Sequence, residues 1–256
     1  MTSHLDKIAL VTGAATRIGA AIARRLAGEG FAVVIHHRSR PDDAEALAAG
    51  IRDNGARAAT VQADLADRTQ RARLIAEAAA HFGPLTLLVN NASSFERDSA
   101  RDLDEKLWDQ HFAIHAEAPA FLARDFAARL PPDARGNIVN IIDERVLDLS
   151  PAFFSYTLSK SVLWTMTRTL AQSLAPNIRV NAIAPGPSVA PPGVTPEAHA
   201  KRNAELPLGE AADAVGIADG VVAILGLPTL TGQMLALDGG EHLEWPARRG
   251  PTPRRQ

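Results

Sequence analysis

Lys7-Ile8-Ala9-Leu10-Val11-Thr12-Gly13-Ala14-Ala15-Thr16-Arg17-Ile18-Gly19 decides how this 256-residue chain is read. Residues 7–11 are a short apolar run of the kind that fills a buried strand. A turn of small residues follows at once. Residues 20–29 then carry helix-forming side chains, with apolar positions at Ile22, Ala23 and Leu26. Strand, glycine turn and helix in that order bring backbone N–H groups and a helix N-terminus to one point, which suits a pyrophosphate. Gly13 permits the tight turn, and Gly19 lets the helix lie close to the sheet. Small residues also fill other strand-to-helix turns, so the stretch proposes a nucleotide site that the rest of the chain has to support.

Outward from it, residues 31–36 read as a second strand, ending in His36-His37-Arg38-Ser39-Arg40. In a dinucleotide fold the end of this strand selects the ribose form. A carboxylate there accepts from a free 2′-hydroxyl, but the first carboxylate here is Asp42. Guanidinium and hydroxyl groups match a 2′-phosphate, and Arg17 belongs to the same region. The expected cofactor is therefore NADP(H) rather than NAD(H), against the plainer reading of a solvated basic loop. Residues 42–54 form a helix stopped by Gly55, and residues 57–62 a third strand ending in Ala63-Asp64-Leu65. Asp64 either bonds an adenine amino group or caps the next helix. After a helix at 67–82 and a strand at 85–89 comes Asn90-Asn91-Ala92-Ser93-Ser94-Phe95. Asparagine amides can bind backbone there, small Ala92 and Ser93 leave room for a nicotinamide, and Phe95 lies past a strand's C-terminal end, where open α/β sheets bind ligands.

Residues 103–130 read as one long helix or a broken pair. They contain His111 and His115, in a setting where histidine is more often packed or solvated than catalytic. A fifth strand at 136–142 ends in Asp143-Glu144-Arg145. The helix at 154–175 carries Tyr156, the only tyrosine, and Lys160, one of four lysines. Residues four apart share a helix face, and a lysine beside a phenol favours the phenolate, which suits proton transfer near neutral pH. The same spacing also occurs in ordinary surface pairs. Asp143 precedes Tyr156 by thirteen residues, so a strand end facing a helix start either brings them together or leaves Asp143 as a cap. A sixth strand at 178–183 runs into Ala184-Pro185-Gly186-Pro187-Ser188, an extended loop whose backbone suits a carboxamide. Residues 189–207 have the composition of a mobile lid. A helix at 213–225 and a strand at 233–237 close the pattern.

Alternating strands and helices predict an α/β fold: one Rossmann-type doubly wound parallel sheet of about seven strands, with helices on both faces, in a single domain over residues 1–245. The last eleven residues, 246–256, hold three prolines and four arginines and are expected to be disordered. A net charge of −2 gives no support for nucleic-acid or anionic-membrane binding. With no cysteine, disulfides, a thiol nucleophile and thiolate metal sites are excluded, and no metal site is expected. Residues 1–7 lack a basic stretch followed by an apolar run, and no apolar run approaches spanning length, so a cytoplasmic protein is expected.

Thr12-Gly13…Gly19, Asn90-Asn91-Ala92, Tyr156-x-x-x-Lys160, Pro185-Gly186 and Asp238-Gly239-Gly240, in this order and spacing, resemble the short-chain dehydrogenase/reductase family over about residues 7–240. The resemblance implies that Tyr156 is the acid/base and that Lys160 lowers its pKa and bonds the nicotinamide ribose. It also implies cofactor contacts from Gly13, Arg17, Ile18, His37, Arg38, Ser39, Asp64, Leu65, Asn91, Ala92, Ser93, Pro185, Gly186 and Ser188. Two positions depart from the family pattern. Asp143 stands where a serine is expected, and His115 where an asparagine is expected. The first departure, with Arg17, His37-Arg38-Ser39, Phe95 and Ser188, is similar to pteridine reductases and the related bacterial dihydromonapterin reductases. That likeness implies substrate contacts from Arg17, Ser93, Phe95, Asp143 and Tyr156, with Phe95 stacking a flat pterin ring for about 0.5–1.5 kcal/mol beyond area burial. The expectation is an NADPH-dependent reductase of a pterin-type C=N bond, working as a homotetramer. Its rivals are an NADPH-dependent carbonyl reductase and a non-catalytic NADP(H)-sensing protein.

Overall fold

Ile8, Ala9, Leu10 and Val11 are all buried, because successive side chains of a strand point to opposite faces and both faces here are covered. The computed structural model describes residues 7–190 and 193–243. Its strands are β1 (Ile8–Val11), β2 (Ala32–His37), β3 (Ala58–Gln62), β4 (Leu87–Asn90), β5 (Gly136–Ile141), β6 (Ile178–Pro185) and β7 (Met234–Leu237). They make one parallel sheet in the order 3-2-1-4-5-6-7. The expected doubly wound sheet of about seven strands is therefore observed. The order reverses between β1 and β4, and a crevice opens at such a switch point beyond the strands' C-terminal ends.

The helices are α1 (Arg17–Gly28), α2 (Pro41–Asp53), α3 (Arg68–Phe82), α4 (Glu105–Phe112), α5 (Ala118–Arg129), α6 (Phe154–Ser173), α7 (Pro196–Asn203) and α8 (Ala214–Leu225). Ala9, Val11, Val33 and Ile35 face a layer in which Ile22 and Leu26 of α1, Leu47 of α2 and Val221 of α8 are buried. Ile8, Leu10 and Val34 face the other way, against Leu74 of α3 and Leu122 and Phe126 of α5. Asp67 caps α3 through bonds from the Thr69 and Gln70 amides, and Asp213 caps α8 through Gly216. α7 buries no residue and lies in the loop after β6, where a lid was expected. Pro191 and Pro192 of that stretch, and the tail at 246–256, lie outside the described residues.

Between α4 and α5 the chain neither runs straight nor breaks. It passes through a π-helical turn, Ala113–Glu117, in which the Ala118 amide bonds the Ala113 carbonyl five residues back. Pro119 follows at once in the first turn of α5 and has no N–H to give to the His115 carbonyl four residues earlier. This turn rotates His115 inward, where it is 1% exposed.

The ends of β1 and β4 are tied together by Thr12. Its hydroxyl accepts from the amides of Asn91 (2.9 Å) and Ala92 (3.0 Å) and donates to the Val89 carbonyl (3.3 Å). Gly13 follows at φ +61°, and a Cβ there would stand 2.8 Å from the Ala92 Cα. Gly13→Ala should therefore lower the unfolding free energy by about 1–3 kcal/mol, combining left-handed strain with a backbone clash. Urea unfolding monitored by circular dichroism reads this directly, and an unchanged midpoint would show that the turn yields freely.

Candidate active site

The crevice at the strand ends holds a cavity of about 640 Å³. Every residue expected from the sequence to contact cofactor or substrate lines it. β1 and the turn after it bring Gly13, Arg17 and Ile18; the ends of β2 and β3 bring His37, Arg38, Ser39, Asp64 and Leu65. The segment after β4 brings Asn91, Ala92, Ser93 and Phe95, and the other side is closed by Asp143, Tyr156, Lys160, Pro185, Gly186 and Ser188. Among the described residues, no cluster of side chains has the makings of a metal site.

At the glycine-turn end, the Asn91 amide donates to the carbonyls of Thr12 (2.8 Å) and Gly13 (3.1 Å). A Cβ on Gly19 would come within 2.5 Å of that same amide nitrogen, so the helix start has room for nothing but glycine. Asp64 lines the cavity, accepts from the Ala66 amide (2.9 Å) and does not cap α3. Arg17 has φ +56°, and its guanidinium donates to the Val189 carbonyl (3.3 Å), linking the turn to the loop before α7. The buried Nδ1 of His37 has no hydrogen-bond partner, and Arg38 and Ser39 beside it are exposed.

His36, given no role from the sequence, holds this end in shape. The Gly13 amide donates to its Nδ1 (3.0 Å), so the proton sits on Nε2 and is donated to the Ala63 carbonyl (3.0 Å). One neutral imidazole thus joins the turns after β1 and β3. Burial, partly opposed by the Ala63 bond, lowers its pKa from 6.5 to about 4.

At the other end, the Tyr156 hydroxyl donates to Asp143 Oδ2 at 2.7 Å. Asp143 Oδ1 accepts from the Arg145 amide (3.0 Å) and guanidinium (3.0 Å). Lys160 is 2% exposed and its Nζ donates to the Ile141 carbonyl (2.8 Å), 5.7 Å from the centre of the Tyr156 ring. Lys160 was expected to lower the phenol's pKa; the net shift in this state is upward. Burial, then the Asp143 charge and the hydrogen bond to it, raise the phenol well above its ordinary value, against the Arg145 charge and the Ser93 hydroxyl. Lysine itself is brought down to about 8, by burial against the pull of Asp143. So the tyrosine holds its proton and offers it to a carboxylate oxygen.

Three neighbours escaped the sequence reading. Arg145 lies over the rings of Phe95 (5.4 Å) and Phe153 (5.1 Å). Phe153 stacks on Phe95 with centroids 4.5 Å apart, and Tyr156 stands edge-on to Phe95 at 4.9 Å. Phe153 achieves this at φ +60°, an uncommon conformation for a bulky residue. Glu144, buried beside Asp143, is pushed up to about 8 by burial first and then by its neighbour's charge. Three charged residues directly after a buried strand were the available signal for this cluster.

The two histidines are packed, as expected, but not idle. His115 Nδ1 meets the Ser159 hydroxyl (2.8 Å), which donates to the Tyr156 carbonyl (2.7 Å). Its Nε2 accepts from the Ser94 amide (3.2 Å) and meets the Ser93 hydroxyl (3.0 Å). His111 Nδ1 meets the Ser155 hydroxyl (2.7 Å), which donates to Asp98.

A family model described as short chain dehydrogenase matches residues 7–199. The chain belongs to the short-chain dehydrogenase family. Among solved structures of this family, it is 48% identical to FolM alternative dihydrofolate reductase 1 from Brucella suis in complex with NADP, with a TM-score of 0.90 over 96% of this chain and 98% of that one. The Brucella canis protein of the same name, also with NADP, is 47% identical, with a TM-score of 0.91 over 100% and 99%. A curated short-chain relative, the chloroplastic NADPH-dependent aldehyde reductase-like protein of Arabidopsis thaliana, is 32% identical over 92% of this chain and 89% of its own.

The His36 staple makes stability depend on pH with a fixed sign. Above pH 6.5 the imidazole is neutral in both folded and unfolded chains. As pH falls from 6.5 to about 4, only the unfolded chain takes up the proton, so folding loses up to roughly 3 kcal/mol on this account. His36→Asn should reduce the slope of unfolding free energy against pH in that window by about 1.4 kcal/mol per pH unit relative to wild type. Equal slopes would show that His36 is not held neutral.

Proposed function

We propose that this oxidoreductase transfers hydride from NADPH to a pterin-type C=N bond, converting a dihydropterin or dihydrofolate to its tetrahydro form. The observation that carries the reading is the 2.7 Å bond from the Tyr156 hydroxyl to Asp143, at the end of a cleft that also presents Phe95. The likeness to the two Brucella proteins supports it.

The residues present fit the cofactor. Gly13 and Gly19 clear the turn of side chains at the start of α1, where backbone N–H groups suit a pyrophosphate. Exposed Arg38 and Ser39, with the unpartnered Nδ1 of His37, suit a 2′-phosphate. Lys160 would hold the ribose. When bound, NADPH supplies the hydride.

Reduction of C=N places a hydride on carbon and a proton on nitrogen. Tyr156 holds that proton at its hydroxyl, and Asp143 Oδ2 accepts from it, so the phenol–carboxylate pair can deliver one proton to a ring nitrogen and be refilled from water. Arg145 keeps the carboxylate aimed, with two donors on the oxygen turned away from Tyr156. The half-exposed Phe95, backed by Phe153, supplies a flat apolar wall for the ring. Exposed Leu158 and Val162 on α6 and Phe121 on α5 support the homotetramer expected from the family.

A carbonyl reductase using the same Tyr156 and Lys160 is the second reading, favoured by the likeness to the Arabidopsis protein. NADPH oxidation against dihydrobiopterin, dihydromonapterin, dihydrofolate and an acetoacetyl thioester separates the two. Turnover of the thioester alone would sink the pterin reading, and no oxidation with any of them would favour a sensing protein. Tyr156→Phe should lower kcat by about 10²–10⁴ while the Kd for NADPH, read by fluorescence, stays put. Asp143→Ser should lower kcat on dihydropterin by about 10² or more and spare thioester turnover, since ketone reduction does not need the carboxylate. Equal losses on both substrates would remove Asp143 from the proton pair.

A further inference from the structure

His111 and His115 stand opposite Ser155 and Ser159, each pair separated by 44 residues, so the two helices meet in register on either side of Tyr156. The second pair fixes the direction of a hydrogen-bond chain that ends in the cleft. The Tyr156 carbonyl can only accept, so Ser159 gives it its single proton. The Ser159 oxygen must then accept from His115, which places a proton on Nδ1. Burial, with the charges of Lys160 and His111, holds this imidazole neutral. Its Nε2 therefore bears a lone pair, as the Ser94 amide donating to it also requires. The Ser93 hydroxyl, 3.0 Å from the same nitrogen, is left with donation as its only role there. Its alternative internal partner, the Ser94 carbonyl at 3.4 Å, is also an acceptor. The Tyr156 oxygen, whose own proton goes to Asp143, is a third internal acceptor for it. In each case the Ser93 proton is spent inside the protein.

We infer that His115 is a positioning residue: its Nδ1–H tautomer makes Ser93 an acceptor toward the cleft, so that a substrate has to present an N–H donor at that point. A ring amino group or ring N–H meets this demand. A carbonyl oxygen would face the serine lone pairs without a bond, so the device selects for an amino heterocycle and against a ketone. The inference deepens the pterin reading and rests on it for the identity of the donor, whereas the tautomer stands by itself.

Two variants and one spectrum test it on the full chain. His115→Asn keeps an amide near Ser159 but is too short to accept from Ser93. His115→Gln carries an amide oxygen out to the place of Nε2. The KM for dihydrobiopterin should rise about tenfold in His115→Asn, the worth of one hydrogen bond, with a much smaller change in kcat. His115→Gln should recover most of that loss, and the KM for the acetoacetyl thioester should not rise in either. Parallel losses on both substrates, or a fall in kcat without a change in KM, would reduce His115 to packing and overturn the inference. Nitrogen-15 NMR of histidine-labelled protein at pH 7 should show His115 neutral with the proton on Nδ1, and a proton on Nε2 would overturn it outright. If wild-type protein turns over only the thioester, the pterin reading fails, and the spectrum still decides the direction of the Ser93 hydroxyl.

Discussion

The Thr12 hydroxyl is the constraint on which the rest of the site depends. A parallel sheet leaves its strand ends splayed where the order reverses, and the crevice that results is useful only if its walls are fixed. Thr12 accepts two amides from the segment after β4 and donates back to Val89, so β1 and β4 end at one height. The Asn91 amide returns across the same gap to the carbonyls of Thr12 and Gly13. Each of these groups is buried or nearly so, and a buried polar group left without a partner costs about 1–3 kcal/mol, so the clasp is held by necessity more than by attraction. Gly13 and Gly19 follow from it. With the two segments this close, no Cβ fits between them.

From that clasp outward, short-range chemistry was legible and long-range direction was not. The sheet could be read from apolar runs because each strand is covered on both faces, and the glycine turn because its residue types answer a local backbone demand. Tyr156 and Lys160 could be proposed from their spacing, and the family resemblance was needed to single them out together with Asp143. The state of their protons could not be read that way. A lysine four residues from a tyrosine suggests a phenolate, but Lys160 turns to the Ile141 carbonyl and the phenol meets a carboxylate in a buried place. Burial disfavours every charge, so it raises the phenol and lowers the lysine together, and no helical spacing encodes burial.

His36 and His115 show the same limit from another side. Both were visible, and the ordinary expectation for a buried histidine is packing. Each in fact joins segments remote in sequence through two nitrogens of opposite character, one donating and one accepting. Which nitrogen does which is set by the partners' own limits: a backbone amide can only donate and a carbonyl only accept. Such a decision travels through three or four bonds before it reaches the cleft, and a linear sequence carries no trace of its direction. Pro119 is the exception. Its missing N–H, just after the π turn that brings His115 inward, was a local cue to an irregular helix there, and it lay in the sequence unread.

The same reasoning bears on the replacement of a hydroxyl by a carboxylate at Asp143. Two carboxyl groups side by side in a buried place cannot both be ionised cheaply, and here the cluster separates their roles by geometry. Glu144 lies deeper and is pushed up to about 8, while Asp143 keeps the shorter contact to Arg145, 3.0 Å against 3.4 Å. The single guanidinium is thus committed mainly to the carboxylate that faces Tyr156. A serine in that place would offer one proton and one direction. A carboxylate held by Arg145 offers an oxygen that accepts the phenol's hydrogen bond and keeps its proton in one place.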